Sequence, residues 1–250
     1  NVRIVNCEFV TADDCISLKS CAQTAQYGDV ANVIISNCIM TSTSGAITLG
    51  TESVGDIKNV LVNNCIVKDS HRGFAVRARE GGTISNVRFS NSLVHTRTFS
   101  DMWWGHGEAL HVTAFSWDDP QKGTDGNIER TFEGFVRDIT FENITCRTEA
   151  GVLNYAAHTG LIKGVTYRNV DVFMDKQSKW DSRIDLRPNG IESVLHRKHN
   201  AFEIFNTTDV VLDKCRVVWD AKSRDQYADL VVESGSKNTN TSGLTEIVRG

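Results

Sequence analysis

Asn32-Val33-Ile34-Ile35-Ser36-Asn37 returns as Asn59-Val60-Leu61-Val62-Asn63-Asn64 and again as Asn86-Val87-Arg88-Phe89-Ser90-Asn91. The closing asparagines fall 27 residues apart in both steps. Looser copies end at Asn143, Asn169 and Lys214, and Val2 to Asn6 reads as the tail of an earlier one. Within each copy apolar and polar residues alternate, the period of a strand with one buried face. A second strand is expected in most copies, over residues 15–19, 46–49, 74–77, 152–155 and 202–205. The leucine spacing of leucine-rich repeats is absent, and no 3.6-residue periodicity is sustained. What remains is a right-handed parallel β-helix, whose coils bury one face of each strand and pair their backbones with the coils above and below. Asparagine suits the repeated turn, because it tolerates left-handed backbone and its amide can ladder from coil to coil.

The composition agrees. Only two prolines accompany nineteen glycines, as expected where most strands are paired on both sides and a missing N–H would break a ladder. With 27 Lys and Arg against 31 Asp and Glu the net charge is −4. That disfavours a nucleic-acid partner, which a concentrated basic face would serve, while leaving local arginines free for an acidic ligand. No run of about 18 apolar residues is present, so no membrane span is expected. No signal peptide is seen, and an N-terminal segment is inferred to precede Asn1. Seven cysteines without CxxC spacing argue against a zinc site. Cys7, Cys38 and Cys65 follow equivalent asparagines and read as small side chains stacked inside the coil; a Cys15–Cys21 or Cys15–Cys38 disulfide stays open. The whole chain, 1–250, is read as one monomeric domain, with a long insertion at 95–137 and a possible C-terminal cap at 224–250.

The repeat also serves as a ruler. Counted from the asparagine closing each first strand, Asp14, Gly45 and Arg72 align, as do Asp13, Ser44 and His71, and Lys19, Gly50 and Arg77. Coils are spaced by about 4.8 Å, so Asp13 and Asp14 should face His71 and Arg72 across roughly 10 Å, with small residues between. Carboxylates at one end and cations at the other make a plausible cleft floor. Glu52 could line it or be a solvated loop residue. The insertion carries Asp101-Met102-Trp103-Trp104-Gly105-His106-Gly107-Glu108, which should wall the cleft, since loops of this length are functional or disordered and paired tryptophans oppose disorder. An indole face can stack on a sugar ring, or it can anchor the loop; Trp117 and Trp180 are read as anchors. Taken alone, Asp13-Asp14 is also an ordinary turn sequence.

Thr11-Ala12-Asp13-Asp14-Cys15-Ile16-Ser17-Leu18-Lys19-Ser20 resembles the G-D-D-C-I-A-[IL]-K-S-G signature of glycoside hydrolase family 28, the polygalacturonases. Leu49-Gly50-Thr51-Glu52 is similar to that family's I-G-S-E segment. Trp103 to Glu108, Ser178-Lys179-Trp180 and Asp185-Leu186-Arg187-Pro188 resemble a bacterial subgroup. The resemblance implies a pectin-lyase-like solenoid, secreted or periplasmic, that hydrolyses a galacturonate-containing polysaccharide with inversion and without cofactor or metal. Asp13 then matches the general acid and Asp14 a water-positioning carboxylate. Lys19, Glu52, His71, Arg72, Arg77, Trp103, Trp104, His106 and Glu108 become candidates for binding substrate. The departures are that Gly45 stands at the family's G-H-G histidine, Ala75 at the arginine of R-I-K and Arg77 at its lysine, while the upstream Asn-Thr-Asp motif is absent. A polysaccharide lyase and a non-catalytic carbohydrate-binding β-helix are the competing readings.

Overall fold

The computed structural model describes residues 1–116, 133–189 and 193–250. It contains long parallel sheets and no α-helix among those residues. The stack is a parallel β-helix. One face carries the repeat motif itself, with Val2–Val5, Val30–Ser36 and Ile57–Asn63 leading into the long strands Thr83–Thr96, Phe135–Thr148 and Ile162–Met174. A seven-stranded sheet holds the expected second strands: Ile16–Ser20, Gly45–Ser53, Arg72–Ala78, Leu110–Ala114, Val152–Ala156, Phe202–Phe205 and Val231–Ser234. A third run escaped the sequence reading. It comprises Glu8–Thr11, Ile39–Ser42 and Ile66–Ser70, and follows each asparagine turn.

The asparagines behave as the repeat demands. Asn6, Asn37, Asn64, Asn91, Asn143 and Asn169 all have φ between 49° and 58°. From Asn37 on, each amide donates back to the coil before, Asn64 Nδ2 to Asn37 Oδ1 at 2.8 Å and Asn169 Nδ2 to Asn143 Oδ1 at 2.9 Å, with one slip where Asn91 reaches Asn63 instead. A second column, Asn32, Asn59 and Asn86, runs along the start of the same strands with amide bonds of 3.0 and 2.8 Å. Replacing Asn64 with alanine is expected to cost about 2 kcal/mol in urea unfolding. About 1–2 of that is left-handed strain on a Cβ residue, and the rest is the lost amide bond. Glycine at 64 should recover only the first part.

Inside the coils, Phe74, Phe89, Phe141 and Tyr167 form one stacked ribbon with centroids 4.9, 5.0 and 5.1 Å apart. All seven cysteines are free, and Cys38 and Cys65 are buried in adjacent coils, so neither disulfide forms.

Two segments gain detail from the strand pairing. The 95–137 block is not a single insertion, because Leu110–Ala114 inside it pairs in register with Arg72–Ala78 and Val152–Ala156. Among the described residues, 97–109 lie between Thr83–Thr96 and that strand and belong to neither. The polar stretch 224–250 contains strands of a further coil, with Val231–Ser234, Lys237–Asn240 and Leu244–Arg249 each paired in parallel to the coil before. The stretch reads as polar because the outward side chains of this coil are exposed and few apolar residues mark its strands.

Candidate active site

The turn between Glu8–Thr11 and Ile16–Ser20 puts Asp13 and Asp14 at the edge of the seven-stranded sheet. The ruler holds across the coils, since Gly45 pairs with Arg72 and Gly50 with Arg77, and the Gly45 N–H donates to Asp14 Oδ1 at 2.9 Å. A cleft of about 390 Å³ lies over this floor, lined by Asp13, Asp14, Lys19, Ser44, Thr48, Gly50, Thr51, Arg72, Arg77, Met102, Trp103 and Trp104. Seven expected residues thus meet in one place: both aspartates, Lys19, Arg72, Arg77 and the two tryptophans.

Asp14 is firmly held. Its Oδ1 also accepts from Ser44 Oγ at 2.9 Å, and Ser17 Oγ approaches Oδ2 at 3.4 Å. Asp13 is exposed, and the Asp14 N–H on its Oδ1 at 2.8 Å is its one side-chain hydrogen bond among the described residues. One carboxylate is therefore fixed, and the other is open to the cleft.

Arg72 and Arg77 are buried in the floor. Arg72 Nε stands 3.6 Å from Glu108 Oε2, and neither its Nε nor its Nη2 makes a hydrogen bond. Arg77 spends Nη2 on the carbonyl of Arg187 and leaves Nε unpaired. No carboxylate lies within ion-pair reach of Arg77 among the described residues. Burial, and then the charge of Arg72, press the Arg77 guanidinium well below its ordinary proton affinity. Buried charges are normally paired, so this floor is short of an anion.

Four candidates do not line the cleft. Glu52 turns to Lys19, 2.9 Å from its Nζ. Burial opposes the Glu52 charge, but the Lys19 hydrogen bond and the bonds from Glu52 N–H and Thr51 outweigh it and keep the carboxyl below its usual range. His71 is fully buried: Nε2–H donates to the Gly105 carbonyl at 2.8 Å, and Nδ1 accepts the Phe99 N–H at 3.1 Å. His71 sits at the bend between Ile66–Ser70 and Arg72–Ala78 and is turned inward by its bonds to Gly105 and Phe99, so it does not share the cleft face with Arg72 as the reading by coil register assumed. His106 is buried with Nε2 on the carbonyl of Asp181, and Glu108 is buried with Oε2 on the His106 N–H at 2.8 Å. These three are buried behind the cleft and do not line it.

The wall is Asp101 to His106, with Met102, Trp103 and Trp104 at 83, 45 and 39% exposure. A segment some 80 residues later secures it. Asp185 Oδ2 accepts the Gly105 N–H at 3.0 Å, Arg183 pairs with Asp101 at 3.0 Å, and the Trp103 carbonyl accepts from Arg183 at 3.2 Å and from Arg187 at 3.3 Å. Burial works to raise the Asp185 carboxyl, but Arg187 outweighs it and holds it below the usual carboxylate range. Arg79 is buried under this segment. It donates to Pro188 O at 2.7 Å and Thr113 Oγ1 at 3.0 Å, and covers the Phe115 ring at 4.9 Å. Trp180 lends its carbonyl to Lys176 at 2.6 Å, and Trp117 lies outside the described residues. The Asp185-Leu186-Arg187-Pro188 string was the one sequence signal for this second half of the wall, and nothing local in it announced a contact with Gly105.

Residues 1–98 match the family model "Glycosyl hydrolases family 28". The match covers the whole cleft floor, Asp13 to Arg77, and stops just before the wall. No curated protein matches the chain. The family supports a glycoside hydrolase with a polysaccharide substrate. No helix among the described residues is long and apolar enough to cross a membrane.

Proposed function

We propose that the chain cleaves a pectic or related uronate-containing polysaccharide by inverting acid–base hydrolysis, outside the cytoplasm. Asp13 acts as the general acid that protonates the leaving oxygen, and Asp14 as the carboxylate that holds and deprotonates the attacking water. Arg72, Arg77 and Lys19 receive the uronate carboxylate, and Trp103 and Trp104 offer aromatic faces to the sugar ring.

The observation that carries this reading is the counter-ion deficit at Arg77. A buried guanidinium with an unpaired Nε and no carboxylate within ion-pair reach among the described residues, opening onto a cleft, favours an anionic ligand over a neutral one. The open Asp13 beside the fixed Asp14 supports two separate roles for two carboxylates.

The test is reducing-end release from polygalacturonate and rhamnogalacturonan, with the anomer of the first product followed by proton NMR. Hydrolysis with inverted configuration is expected. Unsaturated products absorbing near 235 nm would replace this reading with a lyase, and binding without turnover would replace it with a carbohydrate-binding solenoid. Arg77→Met, which keeps much of the unbranched stem and removes the charge, is expected to raise KM for the free-acid polymer about tenfold, the loss of roughly one charge-assisted hydrogen bond. It should change KM for the methyl ester far less.

A further inference from the structure

The cleft floor draws on three neighbouring strands and stops. Lys19 comes from Ile16–Ser20, Thr48, Gly50 and Thr51 from Gly45–Ser53, and Arg72 and Arg77 from Arg72–Ala78. At about 4.8 Å per strand this floor is roughly 10 Å long. The next strand, Leu110–Ala114, lines none of it. The sheet itself gives no reason to stop there. Ile47, Phe74, Leu110, Val152 and Phe202 pair in one row that points into the core, so their strand neighbours point outward. That outward row runs Ser17, Thr48, Ala75, His111, Leu153 and Glu203. Left bare, it would be a continuous groove along the solenoid.

The row is covered instead. Ser17 is exposed, and Thr48 and Ala75 are short side chains that lie low between their neighbours. His111, Leu153 and Glu203 are long, yet none is more than 2% exposed. A long outward side chain reaches that only with something on top of it. Leu153 packs with Phe115 against Ile184 and Leu186. Glu203 takes both Nη atoms of Arg197, at 2.9 and 2.8 Å. His111 Nδ1 lies 3.9 Å from Glu108 Oε1. At the boundary itself, Arg77 is bonded to the Arg187 carbonyl, and the Gly105 backbone lies on Arg72, so close that a Cβ on Gly105 would fall 2.7 Å from Arg72 Cζ. The cleft is therefore blind on the side of the later coils, and Arg72 and Arg77 stand at its closed end.

We propose that the site is exo-acting: it takes uronate chains by an end and does not cut within them. The assignment rests on the hydrolase reading above and leaves its bond chemistry unchanged. An interior stretch of polymer must leave a cleft in two directions, and here one direction is filled by buried, ion-paired and apolar structure. A chain end needs only one exit. Its carboxylate meets the guanidiniums at the closed end through charge-assisted bonds, and the rest of the chain runs out past the exposed Asp13. The elements that decide this preference are the wall, Asp101 to His106, and the segment 183–188 that clasps it.

Two measurements on the unaltered protein test the assignment, with whichever of polygalacturonate and rhamnogalacturonan it hydrolyses. The first follows viscosity and product size against reducing-end release. Viscosity is expected to fall slowly for each bond cut, with one short product dominating from the earliest times. The second uses oligosaccharides of that polymer blocked at one end, either reduced to the alditol at the reducing end or carrying the unsaturated non-reducing ring that a lyase leaves. One of the two blocks is expected to lower kcat/KM at least about tenfold, the effect of losing one good contact to the end sugar, and the other to be tolerated. An early collapse of viscosity with a ladder of product sizes overturns the assignment and leaves the hydrolase reading standing. Undiminished rates on both blocked substrates do the same. A protein that hydrolyses no uronate polymer removes the hydrolase reading and this assignment with it.

Discussion

Asp13→Asn is expected to lower turnover of the natural polymer at least about 100-fold, the usual worth of a positioned general acid. The substitution is mild on the fold. Asp13 is exposed, and its one side-chain bond, from the Asp14 N–H to Oδ1 at 2.8 Å, survives with an asparagine oxygen. What disappears is the transferable proton. Aryl glycosides whose leaving groups need little protonation should therefore be hydrolysed with a much smaller loss, because a weakly basic leaving oxygen gains little from an acid. Asp14→Asn should lose comparable activity on both substrates, since activating water matters whatever group departs. Wild-type rates in both variants would remove the two aspartates from the site.

The second large effect is on stability in acid. His71 in the fold takes up its proton near pH 4, because burial opposes the charge and Arg72 adds repulsion, while the Gly105 carbonyl only partly compensates. In the unfolded chain the same group titrates near 6.5. Between those values the unfolded state binds more protons, so the contribution is complete above about pH 6.5 and is lost as pH falls toward 4. The gap is worth about 3 kcal/mol. His199, held near 3 by burial and by the charges of His106 and Lys176, acts with the same sign over the wider window from about 6.5 down to 3. The expected result is a urea midpoint that drops steeply from pH 6.5 to 4. His71→Gln, which can still donate to Gly105 and accept from Phe99, should flatten that slope by about one proton. An unchanged slope would show that His71 does not titrate in this range. Protonation of Nδ1 also removes the acceptor for the Phe99 N–H, so the tryptophan wall should loosen before the coils do, visible as an earlier change in tryptophan fluorescence.

Much of this was legible from the chain alone. The stack could be read because its information is local: one asparagine per turn and one alternating strand per coil. The same ruler set Asp14, Gly45 and Arg72 in a line, as the pairing of Gly45 with Arg72 bears out. It could not tell which of two neighbours faces outward, and so it put His71 in the cleft beside Arg72. Nor could it see partners chosen by side-chain reach, such as Glu52 on Lys19. The wall was half legible. Trp103 and Trp104 stood out as aromatics in a loop, but the Gly105–Asp185 bond joins residues 80 apart in the chain, and neither segment carries a pattern that names the other. The cover over Leu153 was invisible for a different reason: it comes from Ile184 and Leu186 in a separate segment, and being covered leaves no mark in the strand beneath.

The bond between Gly105 and Asp185 has a consequence for how such a protein can change over time. The floor of the cleft belongs to the first coils, while the clasp on its wall is carried by the later insertion that holds Asp185. The number of coils between them is a length gauge. A coil duplicated beyond Val231 would lengthen the solenoid and leave the cleft as it is. One inserted between Ala78 and Leu110 would carry Asp185 a strand spacing, about 4.8 Å, away from Arg72 and Asp14. Repeat proteins are often treated as freely extendable. This one can grow at its far end, but between floor and clasp its coil count is as constrained as any active-site residue.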